Sequence, residues 1–379
     1  MEFFEIKHKS SNTKARTGVL NFDRGQVKTP VFMPIGTVGS VKGLTMSELE
    51  KLGAGIILGN TYHLWLKPDM EIMKEFGGLH NFNTWKGPIL TDSGGFQAFS
   101  LSKIRKFTEE GVKFRVPSSG EKRFLSPEIS MQIQTTLGSD IALVLDECLP
   151  AEVTYKQAKL ALFRTHRWAI RSKAEFDKLQ STDESHKRRL FGIPQGAQFE
   201  DLRELSAKMT KEIGFDGYSI GGVANGGEPE EMMYRQVDVQ TSILEENKPK
   251  HLLGVGTPID IVNMVSCGID MFDCVYPTRN ARHGSIFIKH SDTEYSAVQI
   301  SGQKYFYDKT PINANSKFEE LRTYSKGYLC HLFRAKELLA YRLATLNNLE
   351  YYIDLMATIH TYIEEDKYEE FKNNFKRIL

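Results

Sequence analysis

Three aspartates carry the chemistry this sequence offers. Asp92 follows the short apolar run Pro88-Ile89-Leu90-Thr91, Asp146 follows Ile141-Ala142-Leu143-Val144-Leu145, and Asp273 lies within Met271-Phe272-Asp273-Cys274-Val275-Tyr276-Pro277. One carboxylate can attack an anomeric carbon, a second can move the proton, and a third can accept from donors on a ligand. Taken singly, each reads more readily as the N-cap of the next helix. Three at equivalent strand ends point to one pocket.

Their neighbours sharpen this reading. Asp92-Ser93-Gly94-Gly95-Phe96-Gln97 adds two glycines that admit close backbone approach and an aromatic ring, Phe96, that can stack on a planar ligand. Gly221-Gly222 offers the same backbone access, or equally a tight turn. Gln195 can donate and accept at once, which suits a heterocyclic amide edge. Just beyond Asp273, Thr278-Arg279-Asn280-Ala281-Arg282-His283 places two arginines and a histidine in one segment. Guanidinium groups beside a nucleophile suit a polyanionic substrate, although a solvated loop with paired arginines reads about as well.

Such residues need a frame that gathers strand ends. Eight short apolar runs recur along the chain: 31–35, 55–59, 88–91, 141–145, 190–193, 217–220, 251–255 and 269–272, with helix-like segments between most of them. Among these segments, Thr45 to Leu52 opens with a Thr-Met-Ser-Glu capping box and Thr154 to Leu179 is a long helix of mixed polarity. Eight parallel strands with crossover helices predict an α/β fold, a (β/α)8 TIM-type barrel with insertions whose site lies at the C-terminal strand ends. The barrel is expected over residues 1–284 and an appendage over 285–379. In that appendage a polar, turn-rich stretch runs from Lys289 to about Tyr324. A helical region follows from Gly327 to the end, with Leu329, Leu332, Phe333, Leu338, Leu339, Leu343 and Leu346 forming an apolar face.

Composition is that of a globular chain, 40% hydrophobic and 26% charged over 379 residues, with no run apolar enough to span a bilayer. The opening Met1-Glu2-Phe3-Phe4-Glu5 lacks the pattern of a secretory signal, so a cytoplasmic location is expected. Cys148, Cys267, Cys274 and Cys330 are scattered, which predicts reduced thiols. A net charge of only +1 means that any nucleic-acid contact depends on locally gathered basic residues.

Taken together, Asp92-Ser-Gly-Gly-Phe-Gln97, Gly254-Val-Gly-Thr-Pro258 and Met271-Phe-Asp-Cys-Val275 with Pro277-Thr-Arg279 closely resemble the bacterial tRNA-guanine transglycosylases, also called queuine tRNA-ribosyltransferases. The resemblance runs from Ala15-Arg16-Thr17-Gly18 through Arg334-Ala335-Lys336-Glu337-Leu338. It implies exchange of guanine at the wobble position of tRNAs with GUN anticodons for a 7-deazaguanine, usually preQ1, in queuosine biosynthesis. By the same resemblance, Asp273 is the nucleophile that forms a covalent tRNA intermediate and Asp92 the proton acceptor. Asp92, Asp146, Gln195 and the backbone at Gly222 then bind the base, Phe96 stacks on it, and Arg279 and Arg282 lie beside the anticodon. The implied partners are tRNA, the free base and a second copy of the chain; no nucleotide cofactor is implied.

Two departures stand out. The family's zinc ligands, a Cys-x-Cys-x-x-Cys cluster and a later histidine, fall here on Ser316, Phe318, Leu321 and Asn347, so no zinc is expected. Apolar packing by Phe318 and Leu321 is expected to hold that region instead, and Cys330 with His331 is a poor substitute because neighbours on a helix point about 100° apart. The second departure, Gly221-Gly-Val-Ala-Asn-Gly-Gly-Glu228, replaces Gly-Gly-Leu-Ala-Val-Gly-Glu. Asn225 and the added glycine could enlarge the pocket enough to admit free queuine, or change nothing. A tRNA-binding subunit without catalysis and a two-carboxylate glycosidase are the competing functions.

Overall fold

The computed structural model describes residues 2–101, 105–150, 152–183, 186–223 and 230–378. All eight apolar runs form parallel strands of one ring. Val31–Met33 and Ile35–Gly36 are two halves of the first stave, interrupted at Pro34; the others are Ile57–Gly59, Ile89–Thr91, Ile141–Leu143, Arg189–Gly192, Gly217–Ile220, Lys250–Leu252 and Met271–Asp273. The ring closes because the first stave pairs on one side with the last, Asp273 opposite Met33, and on the other with the second, Ile35 opposite Leu58. Most of these strands are buried along their whole length, as expected of a parallel sheet covered by helices, so they read in sequence as runs and not as alternations.

The two capping boxes are present. Thr45 and Glu48 start the helix Met46–Leu52, and Thr154 and Gln157 start Tyr155–Ser181, one residue after the capping threonine in each case. Three smaller sheets, two of them antiparallel and the third mixed, lie outside the sequence reading. The first, Phe4–Lys9, Arg16–Phe22 and Gly25–Thr29, precedes the barrel and meets its N-terminal end, where Arg16 clasps Asp270 through Nε at 2.9 Å and Nη2 at 2.7 Å. The second, Arg105–Phe107, Val112–Arg115 and Lys122–Leu125, is inserted after the third stave. The third joins Ser285–Lys289 and Glu294–Gln299 to Lys376–Arg377. It occupies the start of the expected turn-rich stretch and shows that the chain's last segment is not helical throughout.

The expected terminal helices are Lys326–Ala335, Leu338–Glu364 and Tyr368–Asn374. Leu329, Leu332, Leu343 and Leu346 are buried on the expected face. Leu338 is not: it is 82% exposed, because it begins its helix and points away before the buried stripe is established. The long helix is pinned to the barrel by polar contacts. Asn348 Nδ2 donates to Pro277 O and Ser285 O, Tyr352 donates to Gly256 O at 2.6 Å, and His360 Nε2 donates to Pro30 O at 2.7 Å. All four cysteines are free thiols. Among the described residues, no helix is long and apolar enough to cross a membrane.

Candidate active site

Asp273 is the last residue of the eighth stave and is buried. Its Oδ1 accepts from His251 Nε2 at 2.9 Å and from the Gly254 backbone N–H at 3.2 Å. The helix Tyr276–Arg282 begins three residues later, with Pro277 in its first turn, where a missing N–H costs nothing. Asp273 is therefore not a helix cap.

Asp92 stands directly after the third stave and is not the N-cap of its own following helix either, since Gly95–Ser100 starts at Gly94 without a side-chain cap. Its Oδ1 instead accepts from Thr61 N at 2.9 Å, and its Oδ2 from Asn60 Nδ2 and from Gln97 Nε2 at 3.1 Å. These donors are all neutral. Burial, reinforced by the charge of Asp273 and opposed by the bond from Thr61, pushes the Asp92 carboxyl up to about 7. A carboxyl at that value exchanges protons readily near neutrality.

Asp146 lies just beyond the fourth stave, accepting from Gln195 Nε2 at 2.6 Å and from Ser93 Oγ at 3.2 Å. Burial pushes it up to about 6 despite these bonds. Gln195 is flanked by Gly221 and Gly222. At Gly222 the backbone has φ +67°, which favours glycine, and a Cβ there would lie 2.5 Å from Gln195 Oε1 and push that amide out of place. This turn is held from below by Arg203, fully buried, whose guanidinium donates to Gly221 O at 2.6 Å, to Ala197 O at 2.8 Å and to Gly222 O.

Sequence reasoning missed Arg203. Its signal was available, because it lies on the buried stripe of Glu200–Ile213 with Leu202, Ser206, Ala207 and Thr210, where an arginine needs internal acceptors. His251 was also missed as a site residue; its relevance depends on cross-strand proximity, which no local pattern displays.

The remaining expected positions differ in character. Phe96 is 48% exposed and makes no ring contact among the described residues. Arg279 and Arg282 are exposed on the helix after Asp273, and neither forms an ion pair among the described residues. Residues 224–229, and Asn225 with them, lie outside the described residues.

The four positions matching the family's zinc ligands do not suit a zinc ion. Ser316 Oγ and Lys317 N donate to the buried carboxylate of Glu350, Phe318 and Leu321 are buried without donor atoms, and Asn347 Nδ2 donates to Phe287 O at 2.9 Å. Cys330 is buried while its neighbour His331 is exposed, as expected of adjacent helical residues. The apolar packing is present, with a buried carboxylate at its centre that the sequence reading did not anticipate.

Residues 10–379 match the family model described as Queuine tRNA-ribosyltransferase. The chain is similar to the queuine tRNA-ribosyltransferase of Aliivibrio salmonicida (strain LFI1238), at 51% identity over 96% of this chain and 94% of that protein. It is likewise similar to those of Vibrio vulnificus (strain YJ016), at 50% over 98% of this chain and 95% of that one, and Vibrio campbellii (strain ATCC BAA-1116), at 50% over the same shares. With a closed eight-stranded barrel and three carboxylates at its C-terminal mouth, the chain belongs to the queuine tRNA-ribosyltransferase family and is a pentosyltransferase of the tRNA-guanine transglycosylase type.

Proposed function

We propose that this enzyme exchanges guanine at the wobble position of tRNAs carrying GUN anticodons for a 7-deazaguanine, preQ1 in the first instance, by double displacement on Asp273. The observation that carries the reading is the pairing of two unlike carboxyls. Asp273 is anchored through one oxygen, and Asp92, near enough to feel its charge, is pushed up to about 7. A carboxyl that gives and takes a proton near neutrality, beside a second held by two donors, divides proton carrier from nucleophile.

In the first displacement a carboxylate oxygen of Asp273 bonds to C1′ of the nucleotide. The C1′–N9 bond breaks, and guanine leaves with the electron pair and takes a proton from Asp92. In the second, Asp92 receives the N9 proton of the incoming base, N9 attacks C1′, and Asp273 departs as a carboxylate. Asp146 accepts from ring and amino N–H groups, while Gln195 and the Gly222 backbone offer donors to the carbonyl oxygen. Phe96, exposed and unpartnered by another ring among the described residues, supplies a stacking face. Arg279 and Arg282 meet the anticodon phosphates, offsetting the few kcal/mol that extruding a nucleotide costs.

No step calls for a metal, and the donor set at Ser316, Phe318, Leu321 and Asn347 supports a chain that works without zinc. Exposed Phe306, Tyr307, Tyr324 and Tyr328 support a homodimer through the C-terminal region. The test is incubation of the metal-analysed chain with labelled guanine and unmodified GUN tRNA. Label should enter tRNA, preQ1 should compete more strongly than queuine, and Asp273→Ala should abolish incorporation. Unchanged incorporation in Asp273→Ala overturns the assignment of the nucleophile.

A further inference from the structure

We infer that Ser219 and His251 form a buried positioning relay that fixes which oxygen of Asp273 attacks; the inference rests on the transglycosylase reading. The barrel register builds the relay. Ser219 lies opposite His251, and His251 lies opposite Met271. Directly paired side chains share a face of the sheet, and so do residues two apart. Asp273, two residues beyond Met271, therefore continues the line. Ser219 Oγ lies 3.0 Å from His251 Nδ1, and His251 Nε2 lies 2.9 Å from Asp273 Oδ1. Ser219 and His251 have no solvent exposure.

The chemistry of these contacts sets the proton positions. A carboxylate only accepts, so Nε2 carries the ring proton; in the neutral ring Nδ1 then accepts, and the Ser219 hydroxyl donates to it. Gly254 N–H gives Oδ1 a second donor, whereas Oδ2 has no hydrogen-bond donor among the described residues. Oδ2 thus keeps its lone pairs for C1′. When the ester forms through Oδ2, Oδ1 becomes its carbonyl oxygen and retains both donors. When the incoming base breaks that bond, the electron pair returns to a carboxylate already held in place. His251 touches neither base nor sugar in this scheme; it acts through Asp273.

Guanine exchange by the full chain, read as kcat and KM for tRNA, tests this in His251→Leu, His251→Gln and Ser219→Ala. His251→Leu should lose on the order of 10² in kcat, the size expected when a reacting atom is misplaced by about an ångström, with KM for tRNA little changed. His251→Gln, which keeps an N–H at a similar reach, should recover about tenfold of that loss. Ser219→Ala, a smaller change to the core, should cost about fivefold in kcat. The imidazole 15N spectrum of the wild-type chain should show a protonated Nε2 and a bare Nδ1.

Equal losses of kcat in His251→Gln and His251→Leu would mean that the ring only packs, and would overturn the relay. A proton on Nδ1 in the wild type would do the same without reference to activity. Should the wild type exchange no guanine while Nε2 carries the proton, the transglycosylase reading fails. Should it exchange guanine and His251→Leu match it, the relay alone fails.

Discussion

Asp140, Asp216 and Asp270 each stand immediately before a barrel strand, while Asp92, Asp146 and Asp273 stand at strand ends or just beyond them, so the two sets face opposite mouths. Each member of the first set accepts from the opening of the neighbouring stave: Asp140 from Ile89 N at 2.7 Å, Asp216 from Leu190 N at 3.0 Å, and Asp270 from Lys250 N at 2.7 Å. Each also has a cation. Asp270 has Arg16, Asp216 has Arg189, and Asp140 has Arg24 with His80 and His186 close by. Burial alone would raise Asp140, yet His186 and His80, each with a ring nitrogen 3.2 Å from its carboxylate, hold it below the usual carboxylate range.

The second set meets only neutral side-chain donors, His251 included when unprotonated, and no arginine or lysine among the described residues pairs with it. Two of its members are raised to about 7 and about 6. One end of the barrel uses its aspartates to hold strands together, and the other keeps Asp92 and Asp146 able to change protonation near neutrality.

Removing a cation from the structural end should give the largest change in stability. Arg16→Ala leaves Asp270 buried without its bidentate partner, a change that costs about 3 to 5 kcal/mol in comparable sites. Denaturant unfolding should show that loss, while guanine exchange per folded molecule stays at the wild-type rate. A matching fall in kcat of the folded chain would erase the distinction between the two ends.

A smaller effect should come from the other mouth, and its sign is set by linkage. In the folded chain Asp146 titrates at about 6, above its ordinary value of 3.8. Folding therefore gains from this group below about pH 4, and the gain is lost as pH rises through 6. Wild-type stability minus that of Asp146→Asn should fall by about 2 kcal/mol between pH 4 and pH 7, because a tenfold change in proton affinity corresponds to about 1.4 kcal/mol. Using the difference between pH values removes the constant effect of altered bonds to Ser93 and Gln195. Asp92, though raised further, should add less than that rise suggests, because part of it opens to solvent that screens the charge. A difference that is flat with pH would mean that this mouth, too, compensates its charge.

The same contrast explains what could be read in the sequence. The eight staves were legible because each is a short apolar run, and the three site aspartates because they follow such runs. The N-terminal sheet alternates buried and exposed positions along Phe4–Lys9, a fainter signal beside the barrel runs. Glu294–Gln299 passed for part of a polar, turn-rich stretch because much of it remains partly open, and its partner Ser285–Lys289, which ends where that stretch begins, was not read as a strand. Asp140 and Asp216 sit just before such runs and Asp270 inside one, where the apolar residues, not the aspartates, attract attention. Their function depends on a neighbouring strand's N–H, as that of His251 depends on a partner 22 residues away. Register, set by ring closure, is what single-sequence periodicity does not contain.

The smallest expected effect tests whether the mouth with uncompensated aspartates is also where the polyanion lands. Arg279 and Arg282 are exposed and unpaired among the described residues, so truncating them removes no internal ion pair, and thermal stability should stay at the wild-type value. Arg282 is held below its ordinary value by partial burial and the nearby Arg279 charge, which makes an incoming phosphate the natural relief for both. Each Arg→Ala change should weaken tRNA binding and lower the slope of log affinity against log salt by about 1, since one fewer phosphate contact releases one fewer counterion. The double variant should lose about twice that slope. An unchanged slope in both single variants would move the anticodon away from this helix and leave the reactive mouth without its cationic rim.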